Sequence, residues 1–216
     1  LLGIDLEDKN ILVVGCGAGE DAVRLSKLGA RVYAFDLSED MLAIAKELAE
    51  SENVSIAFEK MPAEKLRYSD NFFDVIFARD IFHHVDIPAA LSEICRVAKP
   101  GAAFVMSEIY SHSVTDGIRH SAFVEKVLYP KLQASVYGGK SPYITEDERK
   151  LSEDDLALIE RAMTRVHKEF FNFIVTRLIS DNYRLLNIAD RILLGALGPL
   201  GSYFGGRVVV IGTISK

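Results

Sequence analysis

The sequence predicts a doubly wound α/β fold: a mostly parallel, seven-stranded sheet with helices between the strands and a helical insertion after the fifth. Three observations carry that expectation. The first half alternates short apolar runs with helix-period segments, the pattern of repeated strand-helix-strand units. A glycine-rich turn, Gly15 to Gly19, joins the first strand directly to the first helix. After the fifth strand the alternation gives way to a stretch rich in tyrosine, histidine and glycine.

Asn10 to Val14 (NILVV) reads as a buried strand, and Glu20 to Leu28 as a helix with Ala22, Val23, Leu25 and Leu28 on one face, stopped by Gly29. Arg31 to Phe35 is the second strand, ending at Asp36. Ser38 is a suitable N-cap for a helix over Glu39 to Ala49, whose face is Met41, Leu42, Ala45 and Leu48. Val54 to Phe58 and Phe73 to Ala78 are the third and fourth strands. Pro88 fits the first turn of a helix running to about Ala98, and Pro100-Gly101 reads as a turn into a fifth strand, Ala103 to Ser107.

In the second half, Ser152 with Asp155 resembles a capping box, with Leu156, Ile159, Ala162, Met163 and Val166 as the face behind it. Phe170 to Thr176 is aromatic and β-branched and reads as the sixth strand. Tyr183 to Ala196 is a helix, Gly198 to Gly206 a glycine-rich loop, and Arg207 to Ile214 the last strand. At 216 residues the chain is expected to be a single domain. It opens on Leu1 rather than Met, so a segment upstream is expected to have been removed.

Composition narrows the function. A net charge of -6 offers no global attraction for phosphate backbones, so nucleic acid is a disfavoured partner. There is no apolar run of about 18 residues to span a membrane and no signal segment. Cys16 and Cys95 lie far apart in apolar patterns, which fits free thiols in a reducing cytoplasm. No tight histidine and carboxylate cluster points to a metal.

A strand running into Gly15-Cys16-Gly17-Ala18-Gly19 and then a helix lets main chain approach a ligand, although a purely structural turn uses the same residues. Asp36, one strand later, is where an acid accepts the ribose hydroxyls of an adenosine. Dinucleotide sites place a small residue at the sixth position of the glycine motif; here Glu20 stands there, and its charge opposes a pyrophosphate while tolerating a cationic ligand.

At these residues the chain resembles the class I S-adenosylmethionine-dependent methyltransferases. ILVVGCGAGEDAVRLSKLGARVYAFDLSEDML is similar to their opening, and FFDVIFARDIFHHV with LSEICRVAKPGAAFVMSE to their fourth and fifth strand regions. The resemblance covers roughly Asn10 to Glu108 and implies a Rossmann-like sheet whose last strand is antiparallel. It implies S-adenosyl-L-methionine as cofactor and S-adenosyl-L-homocysteine as product.

By the same resemblance, Gly15, Cys16 and Gly17 lie along the methionine part, Gly19 is a further cofactor-binding candidate of that turn, Asp36 holds the ribose, and Leu37 and Met41 flank the adenine. Met61-Pro62-Ala63-Glu64 matches the stretch that contacts the adenine, with Ala63 and Glu64 as its candidates because Pro62 replaces the usual acid. Ala78, Arg79 and Asp80 border the transferable methyl. Val13 stands where many relatives carry an acid, which leaves the cofactor ammonium to Glu20, Asp80 or a water.

Methyl transfer from a sulfonium needs alignment more than a protein nucleophile. His83 and His84 are the candidates to accept an acceptor's proton, with local packing of one of them as the competing reading. His112, His120 and Glu108 are further possible bases. The resemblance implies a substrate-binding insertion at about 110–150, where Tyr110, His112, His120, Tyr129, Tyr137 and Tyr143 could line an acceptor pocket hinged at Gly138-Gly139; the alternative is that the tyrosines pack the insertion and the histidines are solvated. The resulting expectation is an enzyme acting on a small-molecule acceptor, with O-, N- and C-methylation all open. The rivals are a noncatalytic S-adenosylmethionine-binding regulatory module and, less favoured, a nicotinamide-dependent oxidoreductase.

Overall fold

The computed structural model describes residues 5–119, 121, 126, 149–171 and 184–216. The strands are β1 (Asn10–Val14), β2 (Arg31–Asp36), β3 (Ile56–Lys60), β4 (Phe73–Arg79), β5 (Ala98–Ile109), β6 (Met163–Phe171) and β7 (Arg207–Ile214). They form one seven-stranded sheet in the order β3-β2-β1-β4-β5-β7-β6. The pairings β3 to β2, β2 to β1, β1 to β4 and β4 to β5 are parallel. β7 runs antiparallel to β6: Ser215 N donates to Ala162 O at one end and Gly206 N to Phe171 O at the other.

The helices are α1 (Glu20–Lys27), α2 (Glu39–Ser51), α3 (Ile87–Val97), α4 (Ser113–Arg119), α5 (Glu153–Arg161), α6 (Arg184–Ala196) and the single turn α7 (Gly201–Phe204). The described residues of Leu1–Ser107, Ala157–His167 and Val210–Lys216 make one compact unit, and those of Glu108–Leu156 and Lys168–Val209 a second.

In the first unit Ile11, Val13, Ala22, Ala30, Val32, Ala34 and Val75 form a buried cluster. Parallel strands covered on both faces need continuous apolar runs, which is why NILVV and RVYAF are read correctly. Ser38 caps α2 as expected, its hydroxyl accepting from Met41 N at 3.3 Å. The buried face of α2 is Leu42, Ala45 and Ala49, so Met41 lies outside it and is 42% exposed.

Four expectations need correction. Pro100-Gly101 does not precede β5 but sits within it: Phe73 pairs with Ala98 and Val75 with Ala103, so the intervening residues bulge out of register. The helix expected to carry Met163 and Val166 stops at Arg161, because Ala162 O is taken by the N–H of Ser215 as the chain turns to pair with β7. β6 therefore begins at Met163 rather than Phe170, and residues 172–176 lie outside the described residues. The loop expected at Gly198 to Gly206 contains a 3-10 turn, Gly198–Leu200, followed by α7.

In the second unit Ser152 and Asp155 do cap α5 reciprocally: Ser152 N donates to Asp155 Oδ2 at 2.9 Å and Asp155 N to Ser152 Oγ at 3.3 Å. Of the expected insertion, His120, Tyr129, Tyr137, Gly138, Gly139 and Tyr143 lie outside the described residues.

Gly19 precedes α1 at φ 83°, and a Cβ there would lie 2.7 Å from Ala45 Cβ on α2. Backbone strain and a clash with a packed helix act together. Gly19→Ala is expected to destabilise the chain by about 2 kcal/mol, read as a lower urea midpoint at unchanged slope. An unchanged midpoint contradicts this packing.

Candidate functional site

The carboxyl ends of β1, β2 and β4 and the segments after β3 and β4 enclose a cavity of about 660 Å³. Its position follows from sheet order. β1 lies between β2 and β4, with Val14 paired to Phe35 on one side and Ala78 on the other, so the glycine turn emerges between Asp36 and Arg79. Parallel strands whose crossovers cover both faces leave their carboxyl ends as the place where loops diverge and ligands enter.

Asp36 is the most tightly determined polar group there. Its Oδ2 accepts from Gly17 N at 2.8 Å and its Oδ1 from Ser38 N at 2.9 Å. Cys16 N donates to Phe35 O at 2.8 Å, so the glycine turn is tied to β2 twice. Each carboxylate oxygen has two lone pairs, and the described backbone contacts use one on each. The remaining pair of acceptors suits a vicinal diol. Gly17 lies in the left-handed region at φ 51°, and a Cβ there would meet nothing within 4 Å. Main chain thus borders open space at the turn.

Leu37, Met61, Pro62 and Ala63 supply an apolar wall next to Asp36. Glu64 lines the same side, with its Oε1 accepting from Asp86 N at 3.0 Å, while Asp86 caps α3. Across the turn, Arg79 Nε meets Asp21 Oδ2 at 2.8 Å and Arg79 Nη2 lies 3.9 Å from Glu20 Oε2. Glu20, Asp21, Asp36, Glu64 and Asp80 are carboxylates in the lining; among the described residues Arg79 is the one cationic side chain with them. That field favours a ligand carrying positive charge and opposes a pyrophosphate.

The cavity therefore brings together Gly15, Cys16, Gly17, Asp36, Leu37, Ala63, Glu64, Arg79 and His84. Gly19, Met41, Ala78 and His83 lie outside its lining. The two histidines occupy a 3-10 turn, Phe82–His84, with ring centroids 3.9 Å apart; His83 is buried and His84 exposed towards the cavity. Asp21, Phe77, Ile81 and Val85 were not singled out from the sequence. Asp21 had a signal, since it stands beside Glu20 in the first turn of α1.

In the second unit His112 stacks on Tyr203 at 4.0 Å, accepts from Val114 N, and lies 3.8 Å from Glu153. Tyr110 is buried against Phe170, and Glu108 is also buried. Among the described residues no group of histidine, cysteine and carboxylate side chains is arranged to hold a metal ion.

Residues 12–106 match a family model described as a methyltransferase domain. The chain is 30% identical over 174 residues to phosphoethanolamine N-methyltransferase 1 of Arabidopsis thaliana, covering 77% of this chain and 35% of that protein. It is 35% identical over 106 residues to the ubiquinone biosynthesis O-methyltransferase of Methylococcus capsulatus, covering 48% of this chain and 45% of that one. The chain thus spans less than half the length of these relatives. The fold is similar to that of geranyl diphosphate C-methyltransferase from Streptomyces coelicolor, with a TM-score of 0.63 at 14% identity, covering 100% of this chain and 76% of that one.

Burial, followed by the charge of Asp36, pushes the Cys16 thiol up to about 12, and burial also raises that of Cys95. Since the thiolate is the reactive form, neither is a nucleophile at neutral pH. A thiol reagent should label the native chain slowly and the urea-unfolded chain rapidly at both positions. A rapid burst at Cys16 in the native chain contradicts this environment.

Proposed function

We propose that this chain, a member of the class I S-adenosylmethionine-dependent methyltransferase family, moves the methyl group of that cofactor onto a nucleophilic atom of a small molecule. The observation that carries the reading is the Asp36 carboxylate, fixed by two backbone N–H groups beside an open glycine turn and still able to accept two hydroxyls. The residues present fit the cofactor. Gly15, Cys16 and Gly17 would border its methionine part, Asp36 would take the ribose, Leu37 and Ala63 would flank the adenine with Glu64 at its edge, and Arg79 would stand beyond the sulfur.

When bound, S-adenosylmethionine supplies an electrophilic methyl on a sulfonium. The carboxylates of the lining favour that cation, which is also why a nicotinamide dinucleotide is the poorer fit. The chain's own part is to hold the donor, exclude water and move a proton. His84 reaches the cavity from the 3-10 turn and takes a proton from an amine or hydroxyl acceptor; His83, buried against it, sets its position. The relatives methylate nitrogen and oxygen according to their names, and either atom suits an imidazole base. The segment at about 110–150 is the place for acceptor selection, by its position after β5. The two thiols suit a reducing compartment such as the cytoplasm, and no described helix is long and apolar enough to cross a membrane.

The test is mass spectrometry of phosphoethanolamine and of simple catechols after incubation with methyl-deuterated S-adenosylmethionine. A labelled acceptor is the expected result. Cofactor binding with no labelled product from a wider panel of amines and phenols points instead to a noncatalytic module. With a labelled acceptor in hand, His84→Gln is expected to lower kcat by about 100-fold with cofactor affinity unchanged; equal loss of both contradicts its role as a base.

A further inference from the structure

We propose that Arg79, held by Asp21, recognises the α-amino-acid end of the cofactor, with Arg79 reading its carboxylate and Glu20 its ammonium. The inference rests on the cofactor reading above but asks something that reading leaves open. An amino-acid zwitterion carries one charge of each sign, and binding it in a partly enclosed site calls for a counter-charge to each. Asp36 lies at the end of β2, where Gly17 and Ser38 take one acceptor on each oxygen and the ribose of the cofactor reading takes the rest. Val13, buried in β1 and lining the cavity, offers no charge.

The other flank of the glycine turn is built differently. Arg79 ends β4, two strand spacings from Asp36, or roughly 10 Å across the sheet, and so opposite the ribose end. Among the described residues it is the one cation lining the cavity. Its Nε is committed to Asp21 at 2.8 Å, while the nearer terminal nitrogen stays 3.9 Å from Glu20, beyond hydrogen-bond length. A guanidinium has five N–H donors, so the terminal nitrogens keep donors for a bidentate carboxylate. Asp21, with its side chain only 17% exposed, fixes the guanidinium plane. Glu20, 60% exposed at the helix start, is placed to meet an ammonium.

Two thioether nucleosides that differ in the amino-acid end test this by titration calorimetry on the full chain. S-adenosylhomocysteine carries the amino acid; 5′-methylthioadenosine lacks it. Wild-type chain is expected to prefer the former. Arg79→Met should weaken S-adenosylhomocysteine by about tenfold or more and leave 5′-methylthioadenosine within twofold; Asp21→Asn should shift the ratio the same way. The analogue lacking only the carboxylate should bind wild type and Arg79→Met alike. Parallel weakening of both nucleosides, or of neither, overturns the proposal, because a structural role of Arg79 does not discriminate between them. Equal wild-type binding of the two nucleosides overturns it while leaving the adenosine reading intact; binding of neither removes both.

Discussion

The Asp36 carboxylate is the constraint on which the site depends. It joins the glycine turn after β1, through Gly17 N, to the start of α2, through Ser38 N. Hydrogen bonds to an ionised acceptor are stronger than neutral ones. Around it, Gly17 turns through the left-handed region, Gly19 lets α1 pass α2 without a side chain, and burial, followed by the Asp36 charge, raises the Cys16 thiol. The carboxylate thus ties the turn to the end of β2 and keeps acceptors for a ligand.

The cavity's electrostatics follow from the same geometry. Sheet order places the ends of β2 and β4 on either side of β1, so charges that are distant in sequence face one space. On one flank a carboxylate is held by backbone; on the other a guanidinium is held by carboxylates. The asymmetry matches a ligand with a neutral diol at one end and a zwitterion at the other.

Much of this was legible in the sequence where local chemistry and long-range structure agree. The buried strands are continuous apolar runs, Ser38 and Asp155 are placed where capping requires them, and Asp36 ends a strand one crossover after the glycine turn. Failures occur where strand pairing overrides local pattern. Met163 and Val166 continue the helical spacing of Leu156 and Ile159, yet β7 claims them for the sheet through Thr164 and Thr213. Pro100-Gly101 has the composition of a turn but becomes a bulge because β4 pairs on both sides of it. Of the site, Arg79 at the end of β4 and Asp21 in the first turn of α1 are each visible in the sequence, but their pairing is not, because a salt bridge from β4 to α1 is a tertiary fact with no sequence period.

The most direct test of the central claim, that this cavity is an adenosine site held by Asp36, is calorimetric titration of wild-type chain and Asp36→Ala with S-adenosylhomocysteine and NADH. The wild-type chain is predicted to bind S-adenosylhomocysteine more tightly than NADH, with the substitution weakening the former by about tenfold or more. Tighter binding of NADH, or S-adenosylhomocysteine binding unchanged by the loss of the carboxylate, would contradict the account.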